Sequence, residues 1–145
     1  MKIVMMRSSN PLKVRSTQKL GAEVVYCEDN FSARGGKVSE IVEKLGCSTI
    51  HPYNHVHAVA GNGTIAMEIL EQSPDVNNIV VPISGGGLMS GIALTAKILK
   101  PSLKIWGVQS VGSNATYLSF QNRKRCSIDR AETIADGLAV TIPGD

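Results

Sequence analysis

Asn78-Ile79-Val80-Val81-Pro82-Ile83-Ser84-Gly85-Gly86-Gly87-Leu88 runs from an almost unbroken apolar stretch into three consecutive glycines. The apolar part predicts a strand buried on both faces. Residues from Leu88 to Lys100 carry Ile92, Ala96 and Leu99 at helical spacing, which predicts a helix. Strand, glycine turn and helix in that order are the building unit of a parallel α/β sheet. Consecutive glycines let backbone N–H groups turn toward one point without Cβ clashes. The helix start adds partial positive charge at the same place. The combination is a phosphate-type anion site at the end of a parallel strand, with the Ser84 hydroxyl as an added donor. A tight strand-to-helix turn with no ligand is the alternative reading of these residues. No Gly-Lys-Ser/Thr follows, so the loop is not a P-loop. The third position after Gly87 is Ser90, so it is not a G-x-G-x-x-G fingerprint either.

Outward from this loop, short β-branched runs alternate with helical periods. Ile3–Met6 and Glu23–Cys27 predict strands, and Pro11–Leu20 a helix with Asn10 as N-cap and Gly21 as its stop. Lys37–Leu45 predicts a second helix ended by Gly46, with Gly35-Gly36 weakening any earlier start. Ser48-Thr49-Ile50-His51 predicts a short third strand. After a loop, Thr64–Gln72 predicts a helix. Lys104–Val108 predicts a fifth strand, with a helix beginning near Asn114. The alternation argues an α/β fold, a parallel twisted sheet with helices on both faces and right-handed crossovers.

The 145 residues suit one core. A net charge of +3 and 4% aromatic residues argue against nucleic acid as a partner. The basic run Arg123-Lys124-Arg125, with Arg130 beyond it, reads as a solvated helix end. Cys27, Cys47 and Cys126 are odd in number and widely spaced, as expected of reduced thiols in a cytoplasmic protein. No apolar run reaches the ~18 residues of a membrane span, and Met1–Met6 is too short for a signal peptide.

Several separate segments resemble one family. Gly61-Asn62-Gly63-Thr64-Ile65-Ala66-Met67-Glu68-Ile69-Leu70 is similar to an A-G-Q-G-T segment leading into a helix. Val80–Leu88 is similar to a V-P-x-G-G-G-G loop, and Glu132-Thr133-Ile134-Ala135-Asp136-Gly137 to an E-T-I-A-D-G segment. Lys100–Ile105, Leu20–Glu28 and His51-Pro52-Tyr53 extend the likeness. The sequence thus resembles the fold-type II pyridoxal-phosphate enzymes, of the serine racemase/threonine (serine) dehydratase type, over nearly its whole length. The resemblance implies a partial tryptophan synthase β-like fold, truncated at both ends. Residues 1–145 would form a single partial domain, with about 1–50 from the small subdomain and about 51–145 from the large one. It implies pyridoxal 5'-phosphate as cofactor, with its phosphate held by Ser84, Gly85, Gly86, Gly87 and Leu88. The cofactor is the electron sink for a carbanion at Cα of L-serine or L-threonine, for racemisation or ammonia-lyase β-elimination.

The resemblance also marks what this stretch lacks. The family's Schiff-base lysine lies in an S-x-K-x-R-G type motif, followed by an S-x-G-N-H segment, and neither occurs here. Lys97 and Lys100 lie toward the far end of the loop's helix, on the order of 15 Å from the phosphate. None of the nine lysines reads as a buried, activated amine. The expectation is therefore no catalytic residue and an inactive isolated chain. The alternative is a non-catalytic pseudoenzyme or interaction fragment, dimeric or paired with a full-length paralogue. A nucleotide-binding α/β protein using the same loop is a third option. Serine racemases hold a divalent cation at positions matching Gln109 and Ala115, with Ser113 between them. These offer no charge, so no metal is expected. His51, His55 and His57 lack a partner ligand at zinc spacing. Cys126 lacks a readable base. Asp75 reads as a solvated turn, and Asp136 as either a cap or a site residue.

Overall fold

The structure, a computed structural model, describes all 145 residues. The chain divides into two compact units, Met1–Thr49 and Ile50–Asp145.

In the first unit, β1 (Lys2–Met6) and β2 (Glu23–Cys27) pair in parallel, Lys2 opposite Glu23 and Met6 opposite Cys27. The crossover between them is α1 (Pro11–Lys19). Asn10 caps α1 by accepting from the Leu12 N–H at 2.9 Å, Pro11 supplies the fixed φ of a first turn, and Gly21 follows at φ +82°. The second helix, α2, spans Phe31–Leu45 and starts six residues earlier than the sequence predicts. Asn30 is its cap, accepting from the Ala33 N–H at 2.7 Å. The cap, worth about 1 kcal/mol, offsets part of the helix cost of Gly35 and Gly36, about 1 kcal/mol each. Packing of α2 on β1 and β2 adds to the offset. The strand expected at 48–51 does not form. These residues are exposed coil, and no neighbouring strand pairs with them.

The second unit holds the glycine loop. It runs α3 (Val56–Gln72), β3 (Asn78–Pro82), α4 (Gly87–Leu99), β4 (Lys104–Val108) and α5 (Ala115–Asn122), with 3-10 turns at Val111–Ser113 and Asp136–Leu138. β3 and β4 are parallel, with Val80 opposite Trp106 and Pro82 opposite Val108. The strands thus form two separate two-stranded parallel sheets. Ala66, Ile79, Val81, Ile92, Ala96 and Leu103 make the core, and Leu103 and Ala66 are wholly buried. Lys97 and Lys100 close its lower end. Lys97 Nζ donates to the Leu103 and Pro101 carbonyls at 2.6 and 3.1 Å, and Lys100 Nζ to those of Val76 and Pro74 at 2.7 and 2.8 Å.

Two findings here correct the sequence reading. First, α3 begins at Val56, not Thr64, so Gly61-Asn62-Gly63 is helical. The glycines serve a close crossing with α4. A Cβ on Gly91 would lie 2.3 Å from the Val59 carbonyl oxygen, and one on Gly63 would lie 3.3 Å from the Gly91 carbonyl oxygen. Second, β3 is not buried on both faces. Ile79 and Val81 are buried, while Val80 is 65% exposed. No helix of the chain is long and apolar enough to cross a membrane.

Candidate functional site

Ser84 to Gly86 form the bend between β3 and α4. Ile83 still belongs to the ladder, its N–H donating to the Val108 carbonyl at 2.8 Å. Gly86 then turns to φ +106° and becomes the N-cap of α4. That backbone state strains any side-chain-bearing residue, and only glycine adopts it freely. A glycine cap has no side-chain oxygen to satisfy the first turn. None of the backbone N–H groups from Gly85 to Leu88 finds an acceptor in the chain. The carbonyls of this loop are, by contrast, all used. Ser84 accepts from Thr116 Oγ1 at 2.8 Å, Gly85 from the Gly144 N–H at 2.9 Å and Gly86 from the Ser90 N–H at 2.9 Å. Acceptors are therefore tied back and donors left open, the polarity an anion requires.

These donors border a cavity of about 270 Å³. All five predicted residues, Ser84, Gly85, Gly86, Gly87 and Leu88, line it, together with Asn62 of α3 and Gly137-Leu138. Pro52 and Tyr53 complete the wall. Tyr53 explains why Gly85 and Gly87 have no side chain. A Cβ on Gly85 would fall 2.4 Å from the Tyr53 ring, and one on Gly87 2.8 Å from Tyr53 Cα. Behind the loop, Asn54 and Asp145 bond each other twice, Asn54 Nδ2 to Asp145 Oδ2 and the Asp145 N–H to Asn54 Oδ1, each at 3.1 Å. Arg125 holds the same strip through an ion pair with Asp145 and a 2.9 Å bond from Nε to the Pro143 carbonyl.

Gly137 and Leu138 are held at the cavity from below by Ser113. Its side chain is wholly buried, and Oγ bonds the Leu138 carbonyl at 2.9 Å, with the Val140 carbonyl at 3.4 Å. The sequence reading gave neither Tyr53 nor Ser113 a place at the cup. The signal for Tyr53 lay in the paired small residues Gly85 and Gly87, which leave room for a ring. Ser113 gave none, because its partners are carbonyls 25 and 27 residues away.

The other positions singled out in the sequence lie as follows. Gln109 Oε1 accepts from the Tyr117 N–H at 2.9 Å, while its Nε2 is buried without a partner. With the Ser113 hydroxyl already engaged and Ala115 bearing no donor, these three positions present no anionic oxygen to a cation. No group of three or more His, Cys, Asp or Glu side chains is placed to hold a metal. His51 Nδ1 accepts from the Asn54 N–H at 3.2 Å, and His55 caps α3 by accepting from the His57 N–H at 3.3 Å. The three cysteines are free thiols. Asp75 and Asp136 are both exposed, Asp136 opening the 3-10 turn beside the cavity.

Residues 1–145 match the family model described as pyridoxal-phosphate dependent enzyme. The chain is 42% identical over 144 residues to L-threonine dehydratase catabolic TdcB of Escherichia coli (strain K12), covering 99% of this chain and 44% of that protein. It is 39% identical over 140 residues to a serine racemase of Arabidopsis thaliana, covering 97% of this chain and 42% of that one. Among solved structures, maize serine racemase superposes with a TM-score of 0.95 at 35% identity, over 99% of this chain and 44% of the maize chain. The chain thus spans less than half the length of these relatives.

Proposed function

This chain belongs to the pyridoxal-phosphate dependent enzyme family, and on that premise we propose that Ser84–Leu88 cradles the cofactor phosphate in a serine- or threonine-acting enzyme. The observation that carries the reading is the row of unpaired N–H groups from Gly85 to Leu88 facing a cavity. The residues present fit a phosphate. The loop has no side chain beyond Ser84 before Leu88, its carbonyls are occupied elsewhere, and a helix N-terminus backs it. When bound, pyridoxal phosphate supplies an electron sink for negative charge at the α carbon of an amino acid. This chain's own residues position it. Gly85, Gly86, Gly87 and Leu88 donate, Ser84 adds its hydroxyl, and Tyr53 closes the wall behind the glycines.

The substrate assignment to serine or threonine rests on the names of the relatives. The two compact units correspond, in this reading, to parts of the small and large subdomains. The lysine that anchors the cofactor lies outside this stretch. Lys97 and Lys100 are engaged by four backbone carbonyls at the far end of α4, which supports the absence of a catalytic amine and an inactive isolated chain.

The test adds pyridoxal phosphate to the purified chain, with inorganic phosphate as competitor, followed by borohydride reduction and intact-mass measurement. Phosphate-competable binding without a covalent adduct is expected. Absence of any binding would overturn the cradle, and a single reduced adduct on Lys97 or Lys100 would overturn the lysine assignment.

A further inference from the structure

Of the three loop carbonyls that are tied back, two are held by backbone N–H groups, Gly85 by Gly144 and Gly86 by Ser90. The Ser84 carbonyl depends instead on a side chain, the Thr116 hydroxyl, which donates to it at 2.8 Å. Thr116 is the second residue of α5. Inside a helix a threonine hydroxyl can bond a carbonyl of the preceding turn. At the second position no helical turn precedes it, and the hydroxyl reaches across 32 residues of sequence.

That bond fixes more than an acceptor. The Ser84 carbonyl and the Gly85 N–H belong to one planar trans peptide and point in opposite directions. With the carbonyl directed at α5, the Gly85 N–H is directed away from α5. No residue of α5 lines the cavity, whereas Ser84 and Gly85 both do, so the N–H is turned to the cavity side of the loop. Glycine has no Cβ to restrict rotation of this peptide. None could be accommodated either, since a Cβ on Gly85 would collide with the Tyr53 ring. A hydrogen bond to the carbonyl is the remaining way to hold the plane.

The helix that carries Thr116 is itself held at the end of β4. Asn114, its N-cap residue, makes no side-chain capping bond. The cap comes from Gln109, whose Oε1 accepts the Tyr117 N–H at 2.9 Å. The carboxamide keeps this orientation although its Nε2 is left buried without a partner. Val108, next to Gln109, accepts from the Ile83 N–H at 2.8 Å. Three adjacent pairs, 83–84, 108–109 and 116–117, thus close a ring of hydrogen bonds. Of these six residues, Ser84 alone lines the cavity.

We infer that Thr116 is a positioning residue for anion binding, its hydroxyl locking the Ser84–Gly85 peptide so that the Gly85 N–H faces the cradle. The inference rests on the reading of Ser84–Leu88 as a phosphate cradle. Without the hydroxyl the peptide is free to rotate. Rotation removes one donor and sets an acceptor beside the others.

The experiment compares the full chain with T116V and T116S. Valine keeps the branched shape and loses the donor, while serine keeps the donor and loses a methyl. Titration calorimetry reads the affinity for inorganic phosphate. NMR reads the Ser84 carbonyl and Gly85 amide resonances of the ligand-free chain. T116V is expected to bind phosphate about tenfold or more weakly, as loss of one charge-assisted donor implies, and to move both resonances. T116S is expected to restore affinity and resonances together. T116A, which loses the same hydroxyl, gives the same reading if T116V does not fold, as judged by circular dichroism. A folded chain without the hydroxyl that binds phosphate as tightly as the parent overturns the inference alone. So does a Gly85 amide that loss of the hydroxyl leaves unmoved, or a T116S chain as weak as T116V. A parent chain that binds no phosphate overturns the cradle reading itself, and this inference with it.

Discussion

Replacing Gly91 by alanine tests the α3–α4 crossing on which the cup is built. The added methyl would lie 2.3 Å from the Val59 carbonyl oxygen and 2.8 Å from both Asn62 Cβ and Gly63 N. Two of the three obstacles are backbone atoms of α3, so no side chain can swing aside. Ordinary contact begins near 3.4 Å, so α3 must retreat by roughly an ångström, at the ~1–3 kcal/mol typical of overpacking. Alanine's better helix propensity returns about 0.5–1 kcal/mol of that. A net loss of about 1–2 kcal/mol is expected, with Tm lower by about 10 °C for a unit of this size. Gly61 is the internal control. It lies in the same helix, and a Cβ there meets nothing within 4 Å. G61A should therefore stabilise by about 0.5–1 kcal/mol. Thermal and urea unfolding followed by far-UV circular dichroism measure both. A G91A chain as stable as the parent, or a G61A chain destabilised to the same extent as G91A, would refute the close-crossing account.

G86A should leave the packing intact, since nothing lies within 4 Å of that position. It places a Cβ at φ +106°, at a cost of ~1–2 kcal/mol, and titration calorimetry should show phosphate affinity reduced about tenfold if the loop relaxes. Unchanged affinity would remove the loop geometry from the site. S113A removes a hydroxyl that bonds two part-buried carbonyls, of which that of Leu138 keeps the Val140 N–H at 2.9 Å, and should destabilise by about 0.5–1.5 kcal/mol, with hydrogen exchange rising first over residues 136–140. The carboxyl of Asp29 accepts from the Ser8 backbone N–H at 2.7 Å, and that bond, aided by Arg7, holds it below the ordinary aspartate value of 3.8. A depressed carboxylate stabilises the fold above its unfolded pKa, and the contribution is lost as pH falls through the lower folded value. Carbon-detected NMR titration should place its midpoint below 3.8, and D29N should remove the Asp29 share of the pH dependence, leaving that of Glu40, which Lys37 also holds below its ordinary value.

The elements around the glycine loop were legible because each boundary had a chemical signature. An apolar run ended in glycines, a helical period began, and Asn10-Pro11 opened α1. The misplaced starts share a cause. The sequence reading weakens a helix start at Gly35-Gly36 and places Gly61–Gly63 in the loop before Thr64, whereas in α3 glycine is the residue that lets two helices touch. Helix propensity is worth about 1 kcal/mol per residue and yields to packing. The strand at 48–51 failed for the opposite reason. Its β-branched residues satisfy a local preference, but no partner strand accepts them. At the site, the three glycines and Ser84 were legible as a turn suited to an anion, and Leu88 entered through the family resemblance; all five line the cavity. Tyr53, Ser113 and the Asn54–Asp145 pair were not legible, since each acts through contacts between residues far apart in the chain.

The clasp behind the loop bears on the order in which the cup assembles. The Gly85 carbonyl is tied off only by Gly144, and the Asn54 side chain only by Asp145, 91 residues later. A ribosome extends a chain at ~5–20 residues per second, so the interval between these partners lasts several seconds. In its later part, once β4 has been made, β3 and α4 can form while the Gly85 carbonyl still points free beside the donors. The nascent loop is thus a mixed acceptor and donor surface, and it becomes a donor-only surface in one late step. Anion affinity should therefore appear abruptly in a series of stalled chains, when residues 143–145 emerge, rather than growing with the length of the sheet.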